Sequence, residues 1–179
     1  MIQLETGRLL LRMWREEDFE PYARICADRE VMRFLTPEGK TLTRAECWRQ
    51  IAFIVGHWQL RGYGHWAVEE KSSGEFVGRI GFLNPEGWPG FEIGWTLARE
   101  HWGKGYATEG ARRALRYAFT EMGREHVISL IHPQNTNSIR VAERLGEKFE
   151  GETDIQTIHV LIYGISRERW LESEAVSGR

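Results

Sequence analysis

Phe91-Glu92-Ile93-Gly94-Trp95-Thr96-Leu97-Ala98-Arg99-Glu100-His101-Trp102-Gly103-Lys104-Gly105-Tyr106-Ala107-Thr108-Glu109 is the stretch on which the reading of this chain turns. Residues 91–97 have the apolar content of a strand, and a short loop with two glycines follows. From Thr108 a helix is predicted over 108–122, with Ala111, Ala114, Leu115, Ala118, Phe119 and Met122 on its buried side. Glycines at such a junction let a ligand approach the backbone closely. The helix start offers unpaired N–H groups and the positive end of the helix dipole. Together they suit an anion such as a pyrophosphate. Two better-known glycine loops are excluded. A P-loop needs Gly, four residues, then Gly-Lys-Ser/Thr, but Ala98 stands at the first position and Gly105 follows Lys104. A dinucleotide fingerprint needs a third glycine where Thr108 stands, and an opening βαβ unit that is absent near the N-terminus.

Working outward, residues 9–14 read as a first strand and 18–27 as a helix. Thr43 with Glu46 three residues later has the pattern of a capping box, opening a helix to about Leu60 that Gly62 and Gly64 end. Residues 65–69 and 76–83 read as a hairpin around Lys71-Ser72-Ser73-Gly74, and 84–90 as a loop. Beyond the glycine-loop helix come a strand at 127–131, a helix at 137–145 closed by Gly146, a strand at 158–165 and a terminal helical turn at 167–171. The order is one strand, two helices, three strands, helix, strand, helix, strand. It implies an α/β (α+β) unit, one domain over 1–172 with a polar tail at 173–179.

The 179 residues can bury a sizeable core. A net charge of −2 without a basic cluster gives no reason to expect nucleic acid or an anionic membrane as partner. No run approaches the roughly 18 apolar residues of a membrane span. The beginning of the chain lacks the pattern of a secretory signal. Cys26 and Cys47 therefore read as buried thiols in a cytoplasmic protein.

The loop resembles the acyl-CoA loop of the GNAT superfamily of N-acetyltransferases. That pattern is Gln or Arg, two residues, Gly, one residue, Gly or Ala. It lies here on Trp102, Gly105 and Ala107, with Trp102 departing from the usual polar residue. A second motif follows: Asn135, two residues, Ser138, then a helix ending in Leu145-Gly146, where Glu147 replaces the usual Phe. The opening 4–12 and the ending 163–170 resemble the branch of ribosomal-protein N-terminal (RimJ/RimL-like) acetyltransferases. The resemblance implies the GNAT fold, a mixed central sheet of six to seven strands flanked by helices, with a splayed strand pair forming the acyl-CoA cleft. It implies acetyl-CoA as co-substrate, no metal, and direct attack by a primary amine in a ternary complex.

On the same resemblance, Trp95, Thr96 and Leu97 face the pantetheine arm. Backbone N–H groups from Trp102 through Gly103, Lys104, Gly105, Tyr106 and Ala107 to Thr108 hold the pyrophosphate, and Asn135 approaches from the other side. The tyrosine that many members use toward the leaving thiolate is replaced by Ala142, leaving Ser138 as the nearest hydroxyl. Glu92, His132 and, further back, His65 are the candidate bases, a histidine being suited to proton transfer near neutrality and a glutamate requiring a raised pKa. The acceptor is a protein N-terminal α-amine or a small amine, in a cleft walled by Trp66, Trp88 and Trp95. The protein would act as a monomer or homodimer. Two other readings stay open, a non-catalytic acyl-CoA binder and an interaction module without a CoA site.

Overall fold

The computed structural model describes residues 2–155 and 157–177. Strands β1 (Leu4–Glu5) and β2 (Leu9–Arg12) lead into helices α1 (Phe19–Ala27), α2 (Arg29–Met32) and α3 (Arg44–Arg61). Strands β3 (His65–Glu70), β4 (Phe76–Leu83) and β5 (Glu92–Leu97) follow, then helix α4 (Tyr106–Thr120) and strand β6 (His126–Ile131). Helix α5 (Thr136–Leu145), strands β7 (Lys148–Ile155) and β8 (Ile158–Ser166) and helix α6 (Arg167–Ser177) complete the chain. The strands form one eight-stranded sheet in the order β1-β2-β3-β4-β5-β6-β8-β7.

Every neighbouring pair is antiparallel except β5 and β6. Those two are parallel, as strands joined through a helical crossover must be, and they register only at Glu92 and Ile128. The amide of Ile128 donates to the carbonyl of Phe91 at 3.0 Å. One step on, the Ser129 hydroxyl, not a backbone amide, donates to the carbonyl of Ile93 at 3.1 Å. Past that point the strands diverge, so the expected splayed pair is present.

Helix α4 lays Ala111, Ala114, Leu115, Ala118 and Phe119, all without exposed surface, on a core that includes Leu9, Trp66, Ile80 and Phe82. Each large side chain so buried contributes about 1.5–3 kcal/mol relative to exposure. Tyr22, Cys26 and Cys47 form a second cluster between α1 and α3, and both thiols are free and buried. The Thr43 capping box is formed: its hydroxyl accepts from the Glu46 amide and the Glu46 carboxylate accepts from the Thr43 amide at 2.8 Å.

Four elements depart from the sequence reading. β1 is two residues long and α2 four, each too short for a periodic signal. β7 is polar and largely exposed, an edge strand recognised only by its ladder to β8, and with β1 it raises the strand count to eight. The terminal helix runs past Leu171 to Ser177, into the expected tail, whose last residues 178–179 lie outside the described ones.

Candidate active site

Gly105 sits at the N-cap of α4 with φ +81°, and no side chain caps the helix. That left-handed conformation suits glycine because it lacks a Cβ. The first intrahelical bond of α4 joins the Glu109 amide to the Gly105 carbonyl. The amides of Tyr106, Ala107 and Thr108 therefore open the helix without an intrahelical partner. Arg8 braces the loop from behind, donating to the Lys104 carbonyl at 2.9 Å and to Glu109 at 2.7 Å. Trp102, at the position usually polar, uses its indole N–H to hold the Leu97 carbonyl at 2.9 Å, tying the loop to the end of β5. Its own amide is taken by the Arg99 carbonyl.

A cleft of about 770 Å³ opens in front of these amides. Trp95, Thr96, Leu97, Trp102, Gly103, Gly105, Tyr106, Ala107, Thr108, Asn135 and Ser138 all line it. Lys104 does not; its ammonium lies 5.9 Å from the Tyr106 ring centroid. Arg33, Arg140 and Arg144 add positive charge to the same walls. Asn135 caps α5 by accepting from the Ser138 amide at 3.2 Å, and the Trp95 indole donates to the Ser138 hydroxyl at 3.3 Å. The first bond closes the start of α5 and the second fastens α5 to β5 across the fork. Ala142 is buried, so no hydroxyl replaces the missing tyrosine from that position.

A second cleft, about 490 Å³, lies on the other side of β5. Cross-strand partners in an antiparallel pair point to one face of the sheet. The pairs Arg79 with Thr96, Gly81 with Gly94, Leu83 with Glu92 and His65 with Gly81 thus put His65, Arg79, Glu92 and Thr96 on one face. This face is the floor of the second cleft, roofed by Tyr22, Gln50 and Phe53 from α1 and α3. The absence of a side chain at Gly94 makes room for the His65 ring: a Cβ there would lie 3.2 Å from Nε2 of His65 and 3.8 Å from Oε1 of Glu92. The two clefts meet at Phe34, Leu35, Trp95, Thr96, Asn135 and Ser138.

The three candidate bases lie in very different surroundings. Burial pushes the Glu92 carboxyl up to about 7, against the hydrogen bond from the Trp88 indole at 2.7 Å and the charge of Arg79. His65 is buried, and desolvation together with the Arg79 and His57 charges holds it well below the ordinary imidazole value. Its Nδ1 accepts from Arg79, so it stands as a neutral ring. His132 stacks on Phe34 at 5.0 Å and its Nδ1 faces the Gln134 amide at 3.1 Å. That bond leaves the neutral ring its proton on Nε2.

Arg79 and Ser129 carry no motif in the sequence that marks them, and Glu147 stands out there only as a departure from one. Glu147 has no exposed surface; Oε1 lies 3.1 Å from the Ser129 hydroxyl and Oε2 has no partner. Burial pushes its carboxyl up to about 8. The Ser129 hydroxyl lies within donating distance, 3.1 Å in each case, of Oε1 of Glu147 and of the Ile93 carbonyl at the fork. The one available signal was a charge in an otherwise apolar setting, as Arg79 is within Phe-Val-Gly-Arg-Ile-Gly-Phe-Leu. Among the described residues no helix is long and apolar enough to cross a membrane, and no group of three His, Cys, Asp or Glu could hold a metal ion.

Residues 8–148 match the family model described as an acetyltransferase (GNAT) domain. The uncharacterized protein YkkB of Bacillus subtilis is 46% identical over 90 residues, 48% of this chain and 52% of YkkB, so the match spans about half that protein. The uncharacterized N-acetyltransferase p20 of Bacillus licheniformis is 30% identical over 84% of this chain and 85% of its own length. The crystal structure of an acetyltransferase from Agrobacterium tumefaciens superimposes with TM-score 0.83 at 28% identity, covering 92% of this chain and 94% of that one. The chain belongs to the GNAT acetyltransferase family and is an acyltransferase of that type, with acetyl-CoA as the family's donor.

Proposed function

We propose that the protein transfers an acetyl group from acetyl-CoA to a primary amine by direct attack in a ternary complex. The observation that carries this reading is the meeting of two clefts at the β5–β6 fork, one beside the glycine-loop amides and one over a titratable carboxyl. The fit of the first cleft to acetyl-CoA rests on the free amides of Tyr106, Ala107 and Thr108 and the arginines around them. Gly103 and Gly105 keep the loop bare for the pyrophosphate. Trp95, Thr96 and Leu97 border the pantetheine path on one side and Asn135 on the other. When bound, the donor supplies an acyl thioester.

Glu92 acts as the base. With a carboxyl near 7 it is substantially ionised at neutral pH yet basic enough to take a proton from an ammonium. A neutral amine then forms the C–N bond as the C–S bond breaks. Ser138, held by the Trp95 indole, directs its hydroxyl proton to the departing sulfur, stabilising the thiolate without full proton transfer. His65 is too acidic and His132 lacks a free lone pair in its bonded tautomer, which favours Glu92 over both. The acceptor classes suggested by the sequence, a protein α-amine of the RimJ/RimL-like kind or a small amine, both fit direct transfer. A cytoplasmic site of action suits the two reduced, buried thiols.

The test is an amine-panel assay of CoA release with acetyl-CoA as donor. Turnover is expected on at least one primary amine. Gly105→Val, which forces a β-branched residue to φ +81°, is expected to raise the KM for acetyl-CoA at least tenfold. Unchanged turnover in that variant removes the loop from the mechanism.

A further inference from the structure

We infer that the acceptor is a small amine carrying its own carboxylate, an amino-acid-like zwitterion whose amine faces Glu92 and whose carboxylate is received by Arg79 and Thr96. The inference rests on reading the second cleft as the acceptor site. Three observations support it. Arg79 lies half-buried in the cleft floor, its Nε donating to the Tyr22 hydroxyl at 2.8 Å and its Nη1 to His65. Both partners are neutral. Among the described residues no carboxylate lies within 4.0 Å of Arg79, and Nη2 makes no hydrogen bond. A guanidinium fixed at two nitrogens and open at the third is preorganised for a planar anion. Without one, a partly desolvated charge stands uncompensated, which is costly.

Thr96 is the residue directly opposite Arg79 in the ladder, 5% exposed, with a buried hydroxyl that has no partner. Thr96 lines the second cleft, and a carboxylate seated on Arg79 would supply its hydroxyl's missing bond. Glu92 lies on the same face beyond Gly94. Arg79 is close enough for its charge to favour the ionised form of Glu92 without touching it. With the His65 ring packed against Gly94 between them, the cation and the carboxyl stand on one floor, placed for the two ends of a dipolar ligand.

The remaining charge in the cleft agrees. Glu86 stands fully exposed at the rim, 3.8 Å from Arg61. His65 is neutral. The floor beside Arg79 is thus positive, which disfavours a polyamine. The N-terminal residue of a protein would present Arg79 with an uncharged peptide group. The apolar walls from Met32, Phe34, Phe53 and Leu83 suit an apolar side chain.

The test compares the common L-amino acids with their carboxamides and with spermidine, using acetyl-CoA and reading CoA release. Binding to the CoA-loaded protein is measured in parallel by calorimetry. For at least one apolar amino acid, kcat/KM is expected to exceed that of its amide tenfold or more, chiefly through KM. The amide is the less basic amine, so chemistry alone would favour it. Arg79→Gln is expected to bring the ratio close to one and Arg79→Lys to restore part of it. Equal or better use of amides or spermidine by the native protein overturns the inference while leaving acetyl transfer standing. Arg79-dependent binding of amino acids without any turnover keeps the carboxylate site and removes the transfer reading. Neither binding nor turnover removes both.

Discussion

Replacing Glu147 by Gln should make the folded protein more stable at neutral pH, although it removes a native side chain from the interior. Glu147 has no exposed surface, and burial, opposed by the Ser129 hydrogen bond and aided by the charges of Glu150 and Glu92, raises its carboxyl to about 8 from an ordinary 4.5. The unfolded chain therefore releases this proton near pH 4.5 while the folded chain retains it to about pH 8. Stability from this group is fully present below the unfolded value and is lost as pH rises through the folded one. At pH 7 about 2.5 units of that interval have been crossed, each worth about 1.36 kcal/mol, for a penalty of about 3 kcal/mol. Gln keeps the shape and an oxygen that accepts from Ser129 but has no proton to lose. Urea unfolding followed by tryptophan fluorescence, for the native protein and Glu147→Gln, measures the difference. The gap in favour of the variant should be under about 1 kcal/mol at pH 5, about 3 at pH 7 and about 4–5 at pH 8.5. Glu92 is raised in the same direction, so the native protein itself loses stability as pH rises, and the difference isolates Glu147. A gap independent of pH would mean that Glu147 ionises as freely in the folded chain as in the unfolded one, refuting the argument.

Other outcomes follow from the same structure. Because Glu92 must be ionised to accept a proton, kcat/KM should rise tenfold per pH unit below about 7 and level off above it. Glu92→Gln should abolish that limb and lower kcat by roughly 100-fold; an unaltered pH profile in the variant would exclude Glu92 as the base. Arg12 bonds Asp18 and Glu69, each at 2.8 Å, and Asp18 is only 2% exposed. Arg12→Met leaves that carboxylate without its cation and should cost about 3–5 kcal/mol in urea unfolding; a loss below about 1 kcal/mol would show that Asp18 is reached by water.

The parts legible in the sequence are those whose conformation depends on neighbours along the chain. Gly103 and Gly105 followed by a helix, Asn135 and Ser138 at a helix start, and the Thr43–Glu46 box each specify a local backbone geometry, and each is present. Periodic apolar residues likewise revealed α4, because its stripe meets one core. β7 escaped notice because its alternation of Lys, Glu, Thr and Asp has no buried face to mark it; only pairing with β8 makes it a strand. The acceptor floor was hidden for a related reason. His65, Arg79, Glu92 and Thr96 come from three strands, and only the register of β3, β4 and β5 puts them on one face. The environment that raises Glu92 and Glu147 and holds His65 neutral is likewise a property of burial. Local spacing along the chain thus determined the glycine loop and its bare amides, the proposed seat of the donor's phosphates. The surroundings of the proposed base and of the proposed acceptor cation were decided by tertiary contacts, because desolvation and charge act through space and carry no period in the sequence.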